Sequence, residues 1–154
     1  MTRAVRKRLA GSEGFTLIEL MVVVMIIAVL IAIAIPSFLG SRKSAQDRSA
    51  QVEVRNALLL ERVFWQEAGG YTETAADITA FDPNTRINAT PTLGVYIDLN
   101  AASNDIVCVV RTAASGSTFS IWDSATAGTF YGKTDLSGAD CPAAAPGTYT
   151  QGGW

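Results

Sequence analysis

The chain of 154 residues predicts an α+β protein: one long helix over about 15–67, bent near Pro36, packed by its C-terminal half on a small antiparallel β-sheet. Two observations predict the helix. Apolar and helix-forming residues run from Phe15 to Glu67 without strand-like alternation, and the run stops at Gly69-Gly70, a good C-terminal signal. A third predicts the sheet: four short β-rich runs between Leu93 and Gly132, spaced 8–13 residues apart by short polar breaks.

Residues 1–14 carry Arg3, Arg6, Lys7 and Arg8 against Glu13. Residues 15–35 carry one charge, Glu19, and Leu20 to Ile35 is an unbroken apolar run. Those 21 residues make roughly 32 Å of helix, enough to cross a bilayer core of about 30 Å. Basic residues ahead of such a run hold that end in the cytoplasm, so the rest of the chain belongs outside. A secretory signal has a shorter apolar core and a small-x-small site after it, which Ile35-Pro36-Ser37-Phe38-Leu39-Gly40 does not supply. A plain anchor leaves Glu19 unexplained, because a carboxylate in hydrocarbon costs about 2.5–3.5 kcal/mol on insertion scales. With no Lys or Arg within two turns on its C-terminal side, its expected partner is on another chain or is an amine released by cleavage. The bland reading is a carboxylate that snorkels to the membrane edge.

Gly14-Phe15-Thr16-Leu17-Ile18-Glu19-Leu20, the apolar run and Ala34-Ile35-Pro36 together resemble the leader and N-terminal helix of type IV pilins, of the major-pilin kind. The resemblance is specific over about residues 7–45 and weak beyond. It implies that a membrane-bound prepilin peptidase cuts between Gly14 and Phe15 and that Phe15 becomes N-methylphenylalanine. It also implies that Glu19 meets the terminal amine of a neighbouring subunit, making Glu19 and Phe15 the assembly residues. Gly14 suits such a cut, offering backbone with no side chain in the way. The mature chain would have 140 residues, with 8 basic against 13 acidic side chains. Two features depart from the commonest leaders: acidic Glu13 stands before Gly14, and the leader is longer than the shortest class.

Residues 36–67 form the amphipathic half of the helix. Pro36 lacks a donor and Gly40 weakens helix, so a bend is expected there. The resemblance implies a stretch that loosens in the filament; a mild permanent kink is the other reading. Ala45, Ser49, Val52, Asn56, Leu59, Leu60 and Val63 recur at steps of 3–4 and predict the stripe that packs on the C-terminal domain. Residues 68–91 read as a connecting loop with one turn of helix, with a turn at Asp82-Pro83-Asn84. Residues 92–154 hold the sheet and tail, with strands expected at Leu93–Leu99, Ile106–Thr112, Thr118–Trp122 and Thr129–Gly132 and one apolar face covered. Cys108 and Cys141 lie in a compartment where thiols oxidise. A bridge would close a loop of a little over thirty residues and stabilise by about 3.5 kcal/mol. Two unpaired thiols are the alternative, and the resemblance implies one disulfide closing the C-terminal region.

The composition removes several functions. There is no His, so no imidazole acid, base or metal ligand, and 12 Lys+Arg against 14 Asp+Glu argue against a nucleic-acid binder. Neither a phosphate loop nor a nucleophile elbow is present, no convergent acid/base set is visible, and no cofactor is implied. Asp98-Leu99-Asn100 with Asn104-Asp105 lacks the spacing of a calcium loop and reads as a turn. Asn88-Ala89-Thr90 fits a glycosylation triplet that also occurs by chance.

The expected function is therefore structural, not enzymatic: a subunit of a type IV pilus, held in the bacterial cytoplasmic membrane and then polymerised into an extracellular filament for adhesion, motility or DNA uptake. A homopolymer, the prepilin peptidase, an assembly platform and a motor ATPase are partners that the resemblance implies. A second reading is a pseudopilin of a type II secretion system or a minor pilin. A third is a membrane-anchored binding module that does not polymerise.

Overall fold

The computed structural model describes residues 14–137 and 140–154. The leader's Arg3, Arg6, Lys7, Arg8 and Glu13 lie outside the described residues. Helix α1 spans Leu17–Ala68 and runs on through Pro36 and Gly40. The chain divides into two compact units, the first ending at Gly40 and the second being Ser41–Trp154. In the first, every residue from 14 to 40 is exposed. Proline has no N–H to give the Ala32 carbonyl one turn back, yet the helix does not end there.

In the second unit α1 closes at Gly69, whose φ of +78° continues the chain in the left-handed region and whose N–H donates to the Trp65 carbonyl at 2.8 Å. Helix α2, Ala75–Phe81, follows in the segment expected to be a loop with one turn. The sheet is an antiparallel meander, β1 (Tyr96–Asn100), β2 (Ser103–Thr112), β3 (Thr118–Ser124) and β4 (Gly128–Gly132), in the order β1-β2-β3-β4. β1 starts later than expected. Leu93 sits in a turn, its N–H given to the Thr90 carbonyl, and Val95 pairs with Ile87 in an isolated parallel bridge. β2 starts earlier, because the turn needs only Ala101 and Ala102: Asn100 pairs with Ser103, and the Asn100 side chain accepts the Ala102 N–H. Asn104 and Asp105 are strand residues, not part of a break.

Period-two alternation sends Ile97, Val107, Val109 and Ile121 to one face of the sheet, where they pack on Val54, Ala57 and Leu58 of α1. This corrects the expected helix stripe. Val52, Leu59 and Val63 are exposed, and the buried positions of α1 are Ala50, Val54, Ala57, Leu58 and Glu61. The residues of 52–64 are apolar on most sides, so periodicity alone did not select the buried face.

A second correction concerns the other face. Cys108, Trp122 and Phe130 point away from α1, and the tail covers them with Cys141, Ala145 and Tyr149. Both faces are therefore packed, which is why Val107 to Val110 are buried without alternation. The tail then joins the β4 edge, where Tyr131 and Thr150 exchange backbone hydrogen bonds at 2.9 and 3.0 Å. Gly132 is required there, since a Cβ would lie 2.0 Å from the Tyr149 ring. Trp154 ends the chain edge-on to Phe119 and Tyr131, with the Arg55 guanidinium 5.1 Å from its ring centroid.

Candidate functional site

The start of α1 is built by a reciprocal cap. Thr16 precedes the first helical residue, its backbone N–H and hydroxyl donate to Glu19 Oε2 at 2.9 and 2.7 Å, and the Glu19 N–H donates to Thr16 Oγ1 at 3.2 Å. This is a capping box, which satisfies backbone donors that a helix start leaves unpaired. It corrects the expectation that Glu19 finds its partner only on another chain or at a new amine: within the chain it already has Thr16. The spacing Thr-x-x-Glu is the sequence signal that identifies it. All three bonds involve Oε2 or Thr16, and Oε1 takes no part in the box.

Around this cap the surface is apolar. Phe15 is 85% exposed, and the large side chains from Leu17 to Ile35 are all exposed. An 18-residue stretch of α1 near the N-terminus has a mean hydropathy of 3.2 with nothing buried, long and apolar enough to cross a membrane. Among the described residues no heavy atom lies within 4 Å of where a Cβ on Gly14 would stand.

Cys108 of β2 and Cys141 of the tail form a disulfide with their Cα atoms 5.6 Å apart. Asn100 donates to the Cys141 carbonyl at 2.6 Å, and the Trp122 indole N–H donates to the Pro142 carbonyl at 2.7 Å, so the tail is held beside the bridge as well as by it.

A buried polar network ties α1 to the sheet. Asp123 of β3 is 1% exposed and accepts from Arg62 Nε and Nη2 at 3.1 and 2.7 Å, from the Tyr71 hydroxyl at 2.7 Å and from Thr129 at 2.7 Å. Burial, then the bonded Asp123, pushes the Tyr71 hydroxyl above its ordinary value. Glu61 lies nearby on α1, fully buried, accepting the Thr72 N–H at 3.0 Å through Oε2 while Oε1 has no partner. Burial is the main cause that pushes its carboxyl up to about 8, and Asp77 adds to it. Glu61 and Arg62 both lie off the stripe that the periodicity of this half of the helix predicts, so sequence reasoning missed them. Asp123, on the apolar side of β3 between Ile121 and the strand end, is the residue whose position signalled otherwise.

A cleft of about 300 Å³ is lined by Glu53, Asp82, Arg86 and Arg111, and Glu53 is taken up by Arg111 at 2.7 Å. Among the described residues no three His, Cys, Asp or Glu side chains group so as to hold a metal ion.

The comparison with protein families falls on the start of α1. The family described as the prokaryotic N-terminal methylation motif matches residues 10–35. The chain is 29% identical over 116 residues to the type IV wide pilus major component PilA4 of Thermus thermophilus, covering 75% of this chain and 82% of that protein. It is 37% identical over 67 residues to the type IV major pilin protein PilA of Myxococcus xanthus, covering 44% of this chain and 30% of that protein. A matched methylation motif, similarity to two major pilins and one long N-terminal helix leading into a four-stranded antiparallel sheet agree, and together they support a type IV pilin.

Proposed function

We propose that the chain is the structural subunit of a type IV pilus, made with a leader that is removed between Gly14 and Phe15, N-methylated at Phe15, held in the membrane and polymerised through its N-terminal helix. The observation that carries this reading is the uncovered apolar length of residues 15–35, interrupted by one carboxylate. Such a surface is stable in two surroundings, acyl chains or other copies of itself, which lets subunits pass between a membrane pool and a filament. Burial in a filament gains less than the roughly 25 cal/mol per Å² of removal from water, because the stored helix already sits in lipid.

Glu19 gives the assembly its register. Oε1 lies outside the capping box and is available to the ammonium group of a neighbour's Phe15, and a carboxylate in lipid gains most from such a partner. The head, residues 41–154, stays outside the membrane with its disulfide oxidised. The test is intact-mass analysis of filaments sheared from cells. The expected subunit has 140 residues, starts at N-methyl-Phe15 and is lighter by two hydrogens for the Cys108–Cys141 bridge. A product that keeps the leader, or begins after Pro36, refutes the reading.

A further inference from the structure

Just beyond its membrane-length run, α1 carries three cations that no acidic side chain pairs with among the described residues. We propose that Arg42, Lys43 and Arg48 form a collar that binds the phosphate groups of anionic phospholipids at the outer membrane face while the subunit is held there. The inference rests on the membrane reading above. All three side chains are exposed, and among the described residues none has an ion pair or hydrogen bond. The other arginines of α1 are engaged: Arg55 lies over Tyr131 and Trp154, and Arg62 binds Asp123. Asp47, the one acid within the stretch, accepts a hydrogen bond from Ser115.

Position and direction fit a lipid layer. Leu39 is the last large apolar residue of the run, and Arg42 and Lys43 follow it by three and four residues, or roughly 4.5–6 Å of helix rise. A headgroup layer is about 5–8 Å thick on each side of the hydrocarbon. Arg48 starts higher, but helical side chains lean toward the N-terminus and a long arginine stem snorkels, so its charge is carried back toward the membrane. At 100° per residue, Lys43 and Arg48 stand roughly 100° and 240° round the helix from Arg42. A protein partner meets one face of a helix, whereas a headgroup layer surrounds one that crosses it. Residues 41–154 hold 8 basic and 12 acidic side chains; without these three cations the balance is 5 against 12, a head that an anionic surface repels. The collar therefore gives the head its local attraction to that surface, and drawing the subunit out requires breaking it.

The test places the full chain in nanodiscs of equimolar phosphatidylglycerol and phosphatidylcholine and counts, by native mass spectrometry, the lipids of each class that stay bound on ejection. Phosphatidylglycerol is expected in excess, by about fivefold for each cation engaged. The combined Arg42→Gln, Lys43→Gln, Arg48→Gln variant should fall to near parity. An Arg86→Gln, Lys133→Gln variant, which removes two exposed cations elsewhere on the head, should keep the excess. Parity in the wild type, an equal fall in the control, or an undiminished excess in the triple variant overturns the collar. Loss of filaments by a triple variant that keeps its lipid preference assigns the cations to another copy of the chain and also overturns it. A wild-type chain that never enters nanodiscs refutes the membrane reading itself, a result distinct from parity in an inserted chain.

Discussion

Glu19 closes the capping box and, in the function proposed above, also sets the filament register; a single substitution separates the two. As the third helical residue it closes the capping box with Thr16, and glutamine serves that box as well as glutamate does. As the register residue it must be an anion, which glutamine cannot be. Glu19→Gln should therefore leave the chain in the membrane with its helix start intact and still abolish filaments. Electron microscopy of surface filaments beside immunoblots of the membrane pool reads both outcomes. Normal filaments from Glu19→Gln would leave capping as the residue's whole role. Glu61 makes a different prediction. In the unfolded chain it ionises at the ordinary carboxylate value, while in the folded head it holds its proton to about 8. Between those values the folded state binds the extra proton, so stability is greatest at acid pH and falls as pH rises, by about 1.4 kcal/mol per unit for this group, levelling above 8. Glu61→Gln should flatten that slope, as measured by denaturant unfolding of the detergent-solubilised chain at pH 5, 7 and 9. An unchanged slope would show that Glu61 is ionised inside the head.

Helix α1 and strand β3 are joined by more than apolar contact. Asp123 gathers Arg62 from the helix, Tyr71 from the segment after it and Thr129 from β4, so one carboxylate fixes where the helix and the segment after it meet the sheet. The Arg62 side chain is 44% exposed and can rehydrate if its partner is lost, so removing the charge is milder than stranding a fully buried ion. Asp123→Asn should lower head stability by about 1–3 kcal/mol, chiefly through the weakened bonds to Arg62 and Tyr71. The midpoint of chemical unfolding is the measurement, with an unchanged denaturant slope showing that the folded core is otherwise the same. The helix face opposite the buried positions keeps Val52, Leu59 and Val63 uncovered.

The head as a body is a sheet covered twice, by α1 on one side and by its own tail on the other. The tail has little apolar material, and its position depends on the Cys108–Cys141 bridge, the Tyr131–Thr150 pairing and the seat of Trp154. Cys108→Ser with Cys141→Ser frees a loop of 33 residues from its tie and should cost about 3–4 kcal/mol on the loop-entropy account. Hydrogen exchange should show the loss concentrated at residues 140–154 and the outer face of β2 and β3, with the α1-facing core still protected. Uniform loss of protection would mean that the bridge holds the entire head.

Much of this was readable along the chain. A membrane-length run, its basic flank, the Gly-Phe-Thr-Leu-Ile-Glu start, the double-glycine stop and the four strand runs are local signals, complete within a few residues of where they act. Thr16 as a cap and the unbroken Ile106–Val110 run, which marks a strand buried on both faces, are signals of the same kind that a reading centred on Glu19 and on alternation passes over. The choice of helix face was of another kind. Apolar residues surround α1 from Val52 to Phe64, and only the position of the sheet leaves Val54, Ala57 and Leu58 inside and Val52, Leu59 and Val63 outside. The burial of Glu61 and the convergence of Arg62, Tyr71 and Thr129 on Asp123 follow from that same docking. Burial and polar pairing across 50 or 60 residues of sequence depend on surfaces that exist only once the elements have packed, so no periodicity within one of them encodes the outcome.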